Sequence, residues 1–280
     1  MSSPSAEHVP DDLRRAAAGH VGRQRACDDM LAPEAAAKLA VLLGADIPQE
    51  CLPPTWHWAY FNRPVALADQ GADLHERPGR FLPAVPLPRR MWAGGEVTVL
   101  RPLRIGVPAR RVSTIRAVDF KSGGTGALCF VTVAHEITQQ GAPCIAEVQT
   151  IVYRDRGPPE PALRAPGDPV PEGFVTYSDS QLFFYSAVTH NGHRIHWDRD
   201  FCRKVEGYPD LVVHGPMLAT GLCDAMRDGI GPLHFAYRAQ APVFVTTPVR
   251  LHPGPPGSRR EGSIERADGV LAMTATMTHR

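Results

Sequence analysis

Between Arg110 and Tyr153 the chain runs through three alternating apolar and polar stretches, interrupted only by Gly123, Gly124 and Gly126 and then by Gln140-Gly141. Period-two alternation sends every second side chain to one face of a sheet, and a short glycine-bearing gap makes a hairpin. Consecutive strands joined by tight turns run antiparallel. The same order disposes of these glycines as a phosphate loop, because LCFVTVAHEI (128–137) continues as a strand where such a loop requires a helix.

The pattern occurs twice. Strands are expected at 96–100, 110–120, 127–138 and 144–153, and again at 233–239, 243–251, 263–267 and 270–278. Between them lies RGPPEPALRAPGDPVPEG (156–173), too rich in proline and glycine for helix or strand. Helices are expected at 28–43, begun by Asp28 and Asp29 and ended by Gly44, at 181–188 and at 216–227. Residues 1–20 form a frayed lead or a short surface helix, and 53–90, with Trp56, His57, Trp58, Tyr60 and Phe61, a long functional loop or lid. VLRPLRIGVPARRV (99–112) faintly echoes AYRAQAPVFVTTPVRL (236–251). The expectation is an α+β chain with an antiparallel sheet wrapped around a helix, present twice: 21–155, a linker at 156–173, and 174–280. A length of 280 residues suits two such units.

Charge narrows the partners. Thirty basic and 29 acidic residues leave a net +1, no footprint for nucleic acid or an anionic membrane surface. No apolar run approaches the roughly 20 residues that span a bilayer. The polar N-terminus resembles neither a secretory signal nor a transit peptide, and six cysteines are scattered singly, without metal or dithiol spacing. These features suit a cytoplasmic protein acting on a small molecule or joining another subunit.

Candidate chemistry concentrates in 183–220. His190, His193 and His196 crowd around an Asn191-Gly192 break, and His214-Gly215-Pro216 opens an apolar helix. Each histidine has a plain reading as a satisfied core residue. Arg194 could meet a substrate carboxylate, a phosphate or solvent, and Arg89 and Arg90 an anion or solvent.

SAVTHNGHRIHWD (186–198) followed by EGYPDLVVHGPMLAT (206–220) resembles the MaoC-like, hotdog-fold (R)-specific enoyl-CoA hydratases, in particular the double-hotdog hydroxyacyl-thioester dehydratase type 2 and mesaconyl-C4-CoA hydratase branch. FLPAVPLPRRMWAGG (81–95), FVTVAHEI (130–137) and EVQTIVYR (147–154) are similar to its first half. The resemblance implies a double hotdog whose first half binds substrate and whose second carries the reacting groups. It implies a water held between an acidic residue and a histidine five positions later, here His196. The acidic position falls on Asn191, which can hold water but cannot take its proton, so proton transfer shifts to His196. It also implies a thioester oxygen bound by the Gly215 amide, with His214 flanking that hole or holding its turn. His190 and His193 are structural on this reading, and Asp198 caps a helical turn.

The activity so implied is reversible hydration of a short branched dicarboxyl enoyl-CoA, mesaconyl-C4-CoA or itaconyl-CoA, to citramalyl-CoA, as in itaconate degradation. The free carboxylate requires a cation, for which Arg194, Arg89 and Arg90 are the candidates. The alternatives are a 3-hydroxyacyl-thioester dehydratase of fatty-acid synthesis and a non-catalytic thioester-binding hotdog. No metal or organic cofactor is expected, CoA being part of the substrate, and analogy suggests a homodimer.

Overall fold

The computed structural model describes residues 9–71, 74–123, 126–155 and 168–279. The first half supplies β1 (Gln24–Asp29), β2 (Arg89–Val99), β3 (Ala109–Gly123), β4 (Gly126–Gln139) and β5 (Ala142–Arg154). The second supplies β6 (Leu233–Ala239), β7 (Val249–His252), β8 (Arg259–Arg266) and β9 (Leu271–His279). All pair antiparallel in one sheet of order β1-β3-β4-β5-β2-β6-β9-β8-β7. The halves meet along the β2–β6 seam, from Gly94 opposite Arg238 to Val99 opposite Leu233. The chain is an α+β double hotdog.

Among the described residues five helices accompany the sheet: α1 (Asp11–Ala18), α2 (Pro33–Leu43), α3 (Asp179–Val188), a short α4 (Arg199–Phe201) that runs into a π turn, and α5 (Gly215–Met226). None of them is long and apolar enough to cross a membrane. The second half wraps α5, which buries Met217, Leu218, Leu222, Cys223 and Met226 against β2 and β6 to β9. In contrast, α2 packs chiefly on α3 and on the 3-10 turn Trp56–Ala59, and strands are minor neighbours. The two halves therefore share a plan without sharing a helix position. Burial nonetheless joins them, since Leu39, Val97, Leu218 and Phe235 belong to one continuous apolar core.

Three local expectations change. Asp28 and Asp29 end β1 instead of starting a helix: Arg110 holds Asp28 at 3.0 Å, and the Asp29 carboxylate accepts the Leu31 and Phe61 N–H groups at 2.9 and 2.8 Å. The helix starts at Pro33, whose fixed φ and missing N–H suit a first turn, and ends at Gly44 with φ 65°. The strand expected over 243–251 shrinks to β7, because Pro242 and Pro248 bracket it and have no N–H to give a ladder. Residues 168–173 carry neither helix nor strand, and the rest of the expected linker lies outside the described residues.

Candidate active site

His196 ends a 3-10 turn, Arg194–His196, docked by the Val212 N–H on the Ile195 carbonyl at 2.9 Å. That docking turns the Val212 carbonyl toward the ring, and His196 Nδ1 donates to it at 2.7 Å. A carbonyl can only accept, so Nδ1 carries the proton and Nε2 of the neutral ring keeps its lone pair. Burial holds His196 well below the ordinary histidine range, at about 4, against the opposing pull of the Val212 carbonyl. At neutral pH the ring is therefore uncharged, with a bare Nε2.

His214 lies under this ring, stacked at 3.6 Å between centroids and 18° between planes. It is fully buried, and its Nε2 shares a 2.8 Å hydrogen bond with Ser186 Oγ on α3. Burial, with His196 and His193 close by, drives its pKa far below the usual value. His214 thus supports His196 from behind and does not line the cavity. On the other side His193 meets the His196 ring edge-on at 5.7 Å, and His75, from the loop before β2, meets His193 at 4.8 Å. His190 takes a positive φ of 49° at the end of α3. Asn191 then closes the turn: its N–H donates to the Ser186 carbonyl at 2.8 Å and its Oδ1 accepts the His193 N–H at 3.1 Å. That bond identifies Oδ1 and leaves Nδ2 as a donor. Asp198 behaves as a cap, accepting the Phe201 N–H at 2.9 Å.

Gly215 begins α5, so its N–H has no acceptor within the helix, and Pro216 beside it contributes no N–H at all. A donor at a helix N-terminus faces partial positive charge toward any developing oxyanion. The glycine is also sterically required. A Cβ here would lie 2.6 Å from Cε3 of Trp92, so the close neighbour is an indole. Trp92 stacks on Tyr237 at 4.5 Å and takes the edge of Trp58 at 5.4 Å. Trp58 Nε1 donates to Glu147 at 2.9 Å, and His57 Nε2 meets the other carboxylate oxygen at 2.9 Å. Burial alone would raise Glu147, but the His57 bond, the attraction of His57 and His135 and the Trp58 bond hold it down at about 2. The carboxylate stays ionised and the aromatic wall stays fixed.

A cavity of about 560 Å³ opens between α5 and the sheet, lined by His196, Asn191, Gly215 and Trp92 and by apolar groups including Leu82, Ile151, Val213 and Met273. A second, of about 810 Å³, carries Arg25, Arg63, Arg80 and Arg111. His75 and Asn191 line both. The arginines separate. Arg194 is committed to Asp198 at 2.6 Å and lies over Phe201, lining neither cavity. Arg89 is buried against Glu206, bonding its carbonyl and standing 3.5 Å from its carboxylate, with Tyr208 under the guanidinium. Arg90 lines the His196 cavity, and so does Arg154, which the sequence did not single out. Ser186 and His75 were also missed: a helix serine and a loop histidine carry no local signal that they will meet His214 and His193. Among the described residues no group of three metal-ligating side chains stands together.

A family model for hydroxyacyl-thioester dehydratase type 2 matches residues 55–245. The mesaconyl-C(4)-CoA hydratase of Chloroflexus aurantiacus is 41% identical over 259 residues, covering 89% of this chain and 92% of that protein. Among solved structures, HtdX of Mycobacterium tuberculosis superposes with a TM-score of 0.67 at 17% identity, over 91% of this chain and 99% of that one. Another M. tuberculosis protein, described as a double hotdog, gives 0.56 at 11% identity, over 92% and 96%. The matched span holds Asn191, His196 and Gly215 together with the aromatic wall, and the chain belongs to the hydroxyacyl-thioester dehydratase type 2 family of hydro-lyases.

Proposed function

We propose that the protein hydrates a short branched dicarboxyl enoyl-CoA, with mesaconyl-C4-CoA as substrate and citramalyl-CoA as product. The observation that carries this reading is the tautomer of His196: Nδ1–H is spent on Val212, and a bare Nε2 shares a cavity with the first amide of α5. Water, held by the Asn191 Nδ2 donor, gives a proton to Nε2 while its oxygen bonds to the β-carbon. The π electrons move onto the thioester oxygen, where the Gly215 N–H takes the charge. The imidazolium then delivers its proton to the α-carbon, and His196 returns to neutral. The net change is one water added, with no electron carrier involved. A depressed pKa suits the second step, because a strongly acidic imidazolium yields its proton readily.

The relative at 41% identity supports the dicarboxyl substrate, and the resident arginines support a free carboxylate. Itaconyl-CoA, whose double bond is not conjugated with the thioester, would first need a proton shift at the same histidine. A second reading, dehydration of longer 3-hydroxyacyl thioesters, is favoured by the apolar lining and the 560 Å³ of space. Loss of conjugated enoyl-thioester absorbance, followed across mesaconyl-C4-CoA, crotonyl-CoA and a long-chain enoyl-CoA, distinguishes the two. Best turnover of the long chain would overturn the dicarboxyl reading. His196→Gln should lower kcat by about 10²- to 10⁴-fold with little change in thermal stability at pH 8.

A further inference from the structure

The His196 cavity has a cationic end whose function the reaction itself does not explain. Arg154 closes β5 directly opposite Arg89 on β2, and Arg90 stands opposite Tyr153 one position along. Both Arg90 and Arg154 line the cavity. Arg89 stands 3.5 Å from the Glu206 carboxylate, with Tyr208 under its guanidinium, so that carboxylate is shared with a different arginine. Among the described residues Arg154 Nε, like Arg89 Nε, is buried without a hydrogen-bond partner, but Arg154 lines the cavity and Arg89 does not. A buried donor left unsatisfied is costly, more so when it is charged, unless a ligand supplies the acceptor. Nε and one terminal nitrogen of a guanidinium form a two-pronged fork that matches the two oxygens of a carboxylate.

Resting on the dicarboxyl reading above, we infer that Arg154 is the residue that selects the substrate's free carboxylate, binding it side-on through Nε and Nη. In mesaconyl-C4-CoA that carboxylate is attached to the β-carbon, the atom that water attacks. Its position is thus fixed relative to the thioester oxygen at Gly215. Trp92, against Gly215, pairs with Ile151, and Arg154 stands three residues further along β5, about 10 Å. Trp92 and Arg154 both line the cavity, so an acyl group lying in it has this interval to span. Neutralising the carboxylate would also relieve its repulsion of the incoming oxygen nucleophile, so the contact acts in the transition state as well as in binding.

The test is the ratio of kcat/KM for mesaconyl-C4-CoA to that for crotonyl-CoA, which lacks the second carboxylate. Wild type sets the ratio and tests the dicarboxyl reading by itself: a ratio at or below one overturns that reading, and the assignment with it. If wild type prefers the dicarboxyl ester, Arg154→Gln should reduce the ratio roughly 100-fold. Arg154→Lys, which keeps the charge but loses the fork, should fall between. A ratio unchanged in both variants overturns the role of Arg154 alone. Equal losses on both esters would mean that Arg154 serves the shared CoA portion or the fold, which also overturns it; thermal midpoints for the two variants separate those causes.

Discussion

A neutral imidazole with Nδ1 committed to a carbonyl has only Nε2 for proton exchange, and His196 is held in that state by burial. The consequence for pH has a definite sign. Unfolded, the ring binds a proton near 6.5; folded, near 4, so acidification favours the unfolded chain across that window. Stability should fall on the order of 3 kcal/mol between pH 6.5 and 4 from this group, with His214 acting in the same direction. Denaturant titrations at stepped pH check this, and His196→Gln should remove most of the slope. The acid limb of kcat/KM should lie near pH 4 for the same reason. Asn191→Asp places an anion beside the ring, which favours imidazolium; the acid limb should move up toward the ordinary histidine value. If it stays put, residue 191 does not face His196. The sequence revealed His196 through its motif, but it could not reveal that His214 would stack beneath it, because the seventeen residues between them fold back to bring the rings together.

At the scale of elements, the decisive contact is the start of α5 against β2. Gly215→Ala forces a methyl group into Trp92 and should cost about 1–3 kcal/mol of stability along with a large loss of kcat. Combining it with Trp92→Leu should restore much of the thermal midpoint without restoring turnover, since the amide would no longer be held in place. Full recovery of activity in the double variant would show that the indole has no positioning role. Helices and strands with strong periodicity were legible in advance: α3, with its Ser178–Gln181 capping box, and α5 both fall within two residues of expectation. The misreadings occurred where a tertiary partner overrode a local signal. Asp28 and Asp29 look like a helix start until Arg110 and the Phe61 N–H claim them, and the run before β7 looks like a strand until its prolines leave the ladder without donors.

The whole molecule is held by the seam. Because β2 bonds to β5 on one side and β6 on the other, each half alone would expose an unpaired edge at β2 or β6, and the core runs through both. Calorimetry should show one unfolding transition; two separated transitions would mean that the seam is weaker than its register implies. Two antiparallel meanders were legible from alternation, but their fusion into a single sheet was not, since no local pattern says which strand edges will pair. A further consequence follows from the Glu147 carboxylate that fixes Trp58 against Trp92, and Trp92 against Gly215. The half that supplies neither His196 nor Gly215 sets the dimensional tolerance of the half that supplies both. Sequence drift at positions 57, 58 or 147 could thus disable the enzyme while every reacting atom remained in the chain, so the first half constrains how the second can diverge.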